Sequence, residues 1–243
     1  MKLKILTLLL IFIIFQSKAD QIYELIKIPN LKIYQIDKEN NLRYLTPKKD
    51  FVTNSGINNV SCKKSNNYKV EKKYIKTKNE LNIFKKRFFE KIKLRYIVLC
   101  RELKVSEISA LGFANPEMQT ILLNINTDDN DFERVIHHEI FHIIENNYKK
   151  FFPDSVWAKF NNPSFYYSGS STNPEAYNLT KLGNTNGFFS EYAKYSISED
   201  MAETFSFINS REKYVSEVIN LDKILNKKVI FIKEGMSNIE KSL

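Results

Sequence analysis

Residues 138–142 read HEIFH, a pentapeptide of the form H-E-x-x-H. N-cap candidates and acids from 127 to 131 precede it, and apolar residues recur at helical spacing, which predicts a helix over about 131–146. A four-residue step on a helix rotates about 40° and rises about 6 Å, so His138 and His142 project from one face. Two imidazoles placed in this way can share one metal ion, and zinc accepts such a pair readily.

Two further residues of this segment have predicted positions relative to the metal. Glu139 lies about 100° around the helix from His138, close to the metal but not directed at it. A general base for the attacking water belongs there, so we expect Glu139 to act on the water. His137 is also turned about 100° from His138, and we expect it to pack or to support the site.

A catalytic zinc site needs a third protein ligand, and it cannot be histidine because all three histidines lie within residues 137–142. The metzincin pattern requires a glycine three residues after His142 and a histidine six residues after it. The chain has Glu145 and Tyr148 at those positions, which excludes that class. Carboxylates remain as the candidates.

A second predicted helix, over about 198–208 with Ser198 as its cap, supplies two carboxylates. Glu199 and Glu203 are four residues apart, so both face one side of this helix. One can bind the metal while the other accepts a hydrogen bond from a ligating imidazole. On this reasoning the two roles are interchangeable.

Two downstream stretches resemble a known family. Residues 188–193 read FFSEYA and residues 198–205 read SEDMAETF. Phrases close to F-x-S-x-Y-A and E-D-x-A-E-x-F follow an H-E-x-x-H motif in a family of zinc-binding metallopeptidases, which the chain resembles over about residues 77–235. More distantly it looks like the catalytic domains of anthrax lethal factor and the Pro-Pro endopeptidases. Phe189 and Met201 replace other apolar residues of the pattern, and neither change affects the metal ligands.

The resemblance implies a zincin-like, gluzincin-type domain of the α+β class, with an active-site helix and a ligand helix packed on a small mixed sheet. It implies these roles: Zn²⁺ ligands for His138, His142 and Glu199, the general base for Glu139, a hydrogen-bonding partner of the ligands for Glu203, and the oxyanion donor for Tyr192. The chain has 13 tyrosines, and only the resemblance distinguishes Tyr192 among them.

Patterns outside the motif predict further elements. TKNE, starting at Thr77, reads as a capping box that begins a helix continuing to Ile92. Apolar runs predict strands over Tyr96–Cys100, Ile108–Ala114 and Thr120–Ile125. By analogy with the fold, we expect the last to be an edge strand over the cleft, where an extended peptide could add main-chain hydrogen bonds.

A long connection from Phe151 to Gly187 is rich in Pro, Gly, Asn and Ser, which is typical of a segment that shapes a binding cleft. Its aromatic residues are expected to pack back on the core: Trp157, Phe160, Phe165, Tyr166 and Tyr167.

The first residues read as a targeting segment. Lysines precede an apolar run from Ile5 to Phe15, and small residues follow it, which predicts a signal peptide over 1–19 with cleavage after Ala19. We therefore expect a secreted or periplasmic protein without a membrane span. The predicted organisation is an N-terminal extension of unknown role over 20–76 and a metallopeptidase domain over 77–243.

Composition limits the partners. The 243 residues include 43% hydrophobic and 27% charged residues, as in a globular protein. The formal net charge is +9, and only six of the 37 basic residues are arginine. Since phosphate recognition favours arginine, we expect no nucleic-acid partner. The oligomeric state is not readable.

Two cysteines, Cys62 and Cys100, are present. In an oxidising compartment they could form one disulfide between the N-terminal part and the middle of the chain. The alternative is two separate thiols, with Cys100 packed inside its apolar run.

These patterns together predict a secreted zinc endopeptidase that acts on peptide or protein substrates. Two alternatives remain: a zinc hydrolase of another amide or ester, which the same ligands would serve, and a secreted binding protein with a vestigial zinc site. The presence of the ligands, the base and the tyrosine weighs against decay of the site.

Overall fold

The computed structural model describes residues 30–55, 58–169 and 186–242. Helices and strands both form the structure, which confirms the predicted α+β class. The predicted signal peptide, residues 1–19, and residues 170–185 of the long connection lie outside the described residues.

Within the described residues the strands form one curled sheet whose two halves share the long strand β5. The first half has the order β1-β2-β5-β8-β7, with β2 and β8 parallel to β5, and the second half is antiparallel in the order β3-β4-β5-β6. The strands are β1 Leu31–Asp37, β2 Leu42–Pro47, β3 Phe51–Ser55, β4 Asn58–Lys63, β5 Tyr96–Val105, β6 Ile108–Ser109, β7 Gly112–Asn115 and β8 Thr120–Asn124.

Alternation along β5 explains why both faces of the sheet are covered. Ile97 and Leu99 belong to the core beneath the helices. Val98 and Cys100 belong to a second cluster on the opposite face. Successive side chains of a strand point to opposite faces, so a continuous apolar run such as this one indicates a strand buried on both sides.

The expected edge strand is wrong in one respect. Thr120–Asn124 forms β8, but β8 pairs with β5 on one side and with β7 on the other. Strand β7, Gly112–Asn115, is therefore the outer strand beside the active-site helix. The sequence favoured β8 because its five residues are more apolar, yet all five are buried, as suits an inner strand.

Helices and short 3-10 turns cover one face of this sheet. The helices are α1 Asn67–Leu81, α2 Lys86–Ile92, α3 Asp129–Tyr148, α4 Asp154–Trp157, α5 Ile197–Ser210, α6 Glu212–Val218 and α7 Lys223–Lys241. No helix of the described residues is both long and apolar enough to span a bilayer.

The predicted helix start at Thr77 is wrong. Asn66 caps α1, because its side chain accepts a hydrogen bond from the Lys69 backbone N–H. Thr77 lies in the second half of that helix, buried, and its hydroxyl donates to the Lys73 carbonyl at 2.7 Å. A Thr followed three residues later by Glu also occurs inside helices, where the hydroxyl bonds back to the preceding turn.

The two helices of the predicted site are present. Asp128 caps α3 by accepting from the Asn130 and Asp131 backbone N–H groups, and the helix is a little longer than the predicted 131–146. Ser196, not Ser198, caps α5. The α3 helix packs on β7, β8 and α5, so the sheet supports one side of it and the second helix supports the other.

The N-terminal region contributes strands to this sheet. Strand β2 pairs with β5 through Arg43, Tyr44 and Leu45, and helix α1 passes through position 76. The division at residue 76 stays a prediction. The two cysteines form a disulfide that joins β4 to β5, with both residues fully buried.

Most of the described aromatic residues of the long connection pack inward. Trp157 is fully buried, and the rings of Phe160 and Phe165 contact Phe231 and Phe188 respectively. Tyr166 is the exception, because 84% of its surface is exposed. The prediction that it packs on the core is wrong; the adjacent Tyr167 turns inward to bond a buried carboxylate instead.

Candidate metal centre

Helices α3 and α5 bring Glu199 next to two histidines that precede it by more than fifty positions. His138 Nε2 lies 3.1 Å from His142 Nε2 and 2.9 Å from Glu199 Oε2. His142 Nε2 lies 3.5 Å from the same Glu199 oxygen. The candidate ligand atoms of the three residues all lie within 4.8 Å of one another. One helical turn separates the histidines, and the packing of α5 across α3 supplies the carboxylate.

The donor set fits zinc. Two neutral imidazole nitrogens and one carboxylate oxygen are the three protein ligands of one well-known type of catalytic zinc site, in which a fourth position stays open. Glu199 and His142 are partly exposed, whereas His138 is buried. The group is therefore anchored in the protein on one side and reachable from solvent on the other.

His138 is held from behind by a buried chain of charged groups. Its Nδ1–H donates to Glu203 Oε1 at 2.9 Å, and the other Glu203 oxygen accepts from Arg134 at 2.6 Å and from Ser190 at 2.5 Å. Glu203 and Arg134 are 1% and 4% exposed. This arrangement fixes the ring so that Nε2 faces Glu199 and His142.

Arg134 is not among the site residues that the sequence predicts, although a signal for it exists. Arg134 lies four residues before His138, so it shares the face of α3 that carries the motif. An arginine on that face of an amphipathic helix requires a carboxylate partner in the protein interior. Ser190 belongs to the quoted FFSEYA stretch, but no role was predicted for it.

His142 has different neighbours. Its Nδ1 lies 3.3 Å from Ser198 Oγ, and that hydroxyl donates to Glu145 Oε2 at 2.5 Å. Glu145 is 6% exposed and lies three residues after His142 on α3. Ser198, which the sequence predicts as a helix cap, thus contacts His142 instead.

Glu139 lies against the outer strand. A Cβ atom placed on Gly112 of β7 would overlap the Glu139 carboxylate, so β7 and α3 approach closely because residue 112 has no side chain. A cavity of about 60 Å³ at this junction is lined by Leu111, Gly112, Val135, Glu139 and Tyr192 among others. Glu139 is 7% exposed, and this burial raises its pKa above the ordinary glutamate value.

Tyr192 lies near His138, in a 3-10 turn over Tyr192–Lys194. The centres of the Tyr192 and His138 rings are 5.8 Å apart. Burial, together with the negative charges of Glu199 and Glu139, raises the pKa of Tyr192 well above its ordinary value. The phenol is therefore neutral and can donate a hydrogen bond at physiological pH.

In the ligand group, His138 and Glu199 shift each other's pKa toward the charged form. Burial opposes protonation of His138, but its hydrogen bonds to Glu199 and Glu203 outweigh burial and raise its pKa to about 10. Burial likewise opposes ionisation of Glu199, but the two histidines outweigh it and hold its pKa below the ordinary range. The carboxylate is thus ionised and available to a cation.

His137 does not join this group. It is fully buried, its ring contacts Phe84 and Phe205, and its Nε2 lies 3.3 Å from Glu80 Oε2. The prediction that it packs beside the motif is confirmed.

The fold and the site together describe an α+β protein in which two histidines and one glutamate on packed helices could hold a metal ion, and sequence comparison agrees. A family described as "Putative zinc-binding metallo-peptidase" matches residues 70–241. The chain belongs to this family, as the resemblance predicted.

A solved structure supports the fold. The crystal structure of a putative zinc-binding metallo-peptidase from Bacteroides caccae matches with a TM-score of 0.51 and 18% sequence identity, over 82% of this chain and 80% of the other. No curated protein matches this chain significantly.

Proposed function

We propose that this protein is a secreted zinc-dependent endopeptidase, in which His138, His142 and Glu199 hold the metal. The observation that carries the proposal is the convergence of these three donors within 4.8 Å on two helices, although Glu199 follows both histidines by more than fifty positions. Membership in a family named for zinc-binding peptidases supports the same activity.

The arrangement supports a hydrolytic mechanism. When bound, zinc would supply Lewis-acid chemistry, which polarises a carbonyl group and acidifies a water molecule. Glu139 would take a proton from the attacking water and return it to the leaving amine. Burial raises the pKa of Glu139, which is the direction that favours a group that both accepts and returns a proton. Tyr192 would donate a hydrogen bond to the oxyanion that develops.

The geometry favours one order for the two glutamates that the residues alone left interchangeable. Glu199 approaches the Nε2 atoms of both histidines, whereas Glu203 contacts His138 on the opposite ring nitrogen. We therefore expect Glu199→Ala to lose most bound zinc and Glu203→Ala to weaken binding by about 10- to 100-fold. Equal zinc retention by Glu199→Ala and the wild-type protein would reverse the order.

The substrate is proposed to be an extended peptide. Among the described strands, β7 pairs with β8 on one side, and Gly112 of β7 lies against Glu139, so an outer strand of the sheet runs beside the proposed base. An extended peptide can add to such an edge, which aligns a scissile bond with the base.

Export is proposed from two features. The apolar run that ends at Phe15 precedes a cleavage site after Ala19, and a buried disulfide suits an oxidising compartment. Expression of the full chain with a processed N-terminus at Asp20, found outside the cytoplasm by mass spectrometry, is the expected result. An intact Met1 start in a cytoplasmic fraction would reject export.

The central test is metal analysis of purified Asp20–Leu243 beside a digest of a peptide library. We expect about one zinc per chain and peptide cleavage that is abolished in Glu139→Ala with zinc retained. Cleavage that survives in Glu139→Ala would indicate a contaminating protease. A zinc-loaded protein that cuts simple esters or other amides, but no peptide, would instead indicate a different hydrolase.

A further inference from the structure

The two histidines of the metal centre have different supports. His138 is held by a carboxylate directly, through Glu203. Beside His142, a hydroxyl lies between the ring and the carboxylate, because Ser198 Oγ is 3.3 Å from Nδ1 and donates to Glu145 at 2.5 Å. Neither Ser198 nor Glu145 belongs to the ligand group.

The direction of these hydrogen bonds determines which nitrogen of His142 is available. The Ser198 hydroxyl has one proton, which the Glu145 carboxylate accepts, so the oxygen can only accept a hydrogen bond from the ring. His142 Nδ1 then carries the ring proton. In the neutral ring that binds a metal, the lone pair is then on Nε2, the atom that faces His138 and Glu199.

The hydroxyl also links two of the candidate ligands mechanically. Ser198 directly precedes Glu199 in the first turn of α5, while Glu145 and His142 share one face of α3. Its contacts therefore set both the ring orientation of His142 and the approach of Glu199 to it. Glu145 is buried at 6% exposure, so little water competes for this hydrogen bond.

We propose that Ser198 and Glu145 are positioning residues for the metal centre, which orient His142 and hold Glu199 at ligand distance from it. This inference rests on the proposed zinc site and extends it to two residues without an assigned role. It predicts that the hydroxyl and its carboxylate acceptor determine metal affinity, although neither touches the metal.

The test measures zinc affinity by competition with a chelator, which requires no substrate. Ser198→Ala is expected to raise the zinc dissociation constant by about 10- to 100-fold. In the Co²⁺-substituted protein, the visible absorption bands of Ser198→Ala are expected to shift, because the ligand geometry changes. Ser198→Thr, which keeps the hydroxyl, and Glu145→Gln, which keeps an acceptor oxygen, are expected to recover most of the affinity.

Ser196→Ala is the matched control. Ser196 lies on the same turn and caps α5 through the Glu199 backbone N–H, but its side chain does not contact His142 in the contacts described. We expect a lower thermal midpoint with unchanged zinc affinity and an unchanged Co²⁺ spectrum. A loss of affinity in Ser196→Ala as large as in Ser198→Ala would show that helix stability alone is responsible, and would overturn the inference.

Should Ser198→Ala fail to fold, Glu145→Leu tests the same Ser198–Glu145 hydrogen bond from the other helix. It removes the acceptor and leaves the start of α5 intact, and a similar loss of zinc affinity is expected. Wild-type zinc affinity and a wild-type Co²⁺ spectrum in Ser198→Ala or Glu145→Leu would reject the positioning role of these two residues. Peptide cleavage is not measured in either arm, so failure here is distinguishable from failure of the proposed peptidase activity.

Discussion

Helix α3 carries charged groups in its first turn and in its middle, and the two places have different surroundings. In the first turn, Asp129 forms an exposed pair with Lys72 at 2.8 Å, with 42% and 59% of the side chains exposed, and also contacts the buried Lys73 at 2.9 Å. One turn further along, Arg134 pairs with Glu203 at 2.6 Å, with 5% and 2% of the side chains exposed.

This difference in solvent exposure indicates which charged groups the stability of the fold depends on. An exposed ion pair is screened by water and contributes little to stability. A buried pair whose partners also bond neighbouring groups is costly to break, because the remaining charge is left without compensation. The buried group also contacts His138, so the region important for stability and the region proposed for chemistry coincide.

The largest expected effect comes from breaking the buried pair. Arg134→Met should lower the free energy of unfolding by about 3–5 kcal/mol, because the Glu203 carboxylate then lacks its cation. Urea denaturation measures this change. Arg101→Met is the control, since Arg101 pairs with Glu102 near the surface and should cost far less. Equal losses in the two variants would contradict the contrast between buried and exposed pairs.

A second variant asks whether the buried region acts chemically. Tyr192→Phe should lower peptide turnover by about ten- to a thousandfold with zinc retained, because the proposed donor to the oxyanion is removed. Steady-state kinetics and metal analysis of the same sample test this expectation. Tyr195→Phe, three residues along, is the matched control and should keep its rate. An unaffected rate in Tyr192→Phe rejects the role.

A third variant perturbs position without changing charge. Gly112→Ala places a methyl group where the Glu139 carboxylate lies, so the proposed base must shift. We expect turnover to fall by about ten- to a hundredfold while zinc content stays the same. Kinetics beside metal analysis separates the two effects. A full rate would mean that Glu139 has room to move without loss of function.

The smallest effect is expected at the exposed pair. Hydrogen bonds from Lys72 and Lys73 hold the pKa of Asp129 below its ordinary range. A lowered pKa stabilises the fold above the unfolded-state pKa of about 3.9, and this contribution is lost as the pH falls below it. Lys72→Met removes only the exposed partner and leaves Lys73 paired, so it should lower the free energy of unfolding only slightly at pH 7, and less at pH 3. Unfolding curves at both pH values measure the change, and a gap that widens at pH 3 would contradict the sign.

Much of the site was predictable because it depends on short-range spacing. The positions of His138, Glu139 and His142 follow from the helical period, and the helix itself follows from its acidic first turn and apolar face. Glu199 and Glu203 share one face of α5 for the same reason. The family resemblance added Tyr192, which no periodicity could distinguish among the tyrosines.

Elements near helix and strand boundaries were less predictable. Thr77 and Ser198 are residue types that favour helix N-caps, but Thr77 lies inside α1 and Ser198 lies two residues after the actual cap of α5, Ser196. A hydroxyl has several local partners to choose from, and the surrounding structure decides between them. Analogy with the fold predicts β8 as an edge strand, but strand order depends on pairing between distant segments, which local patterns do not report.

Local spacing is sufficient to predict a helix with two histidines one turn apart and a glutamate beside them, because four-residue spacing on a helix requires no information from elsewhere in the chain. Which other side chains contact these three residues depends on the tertiary structure. The packing of α5 on α3 brings Glu199 to the Nε2 atoms, sets Glu203 and Arg134 behind His138, and sets Ser198 and Glu145 behind His142. These contacts join residues more than fifty positions apart, and their geometry depends on side-chain packing and burial that no local pattern of residues encodes.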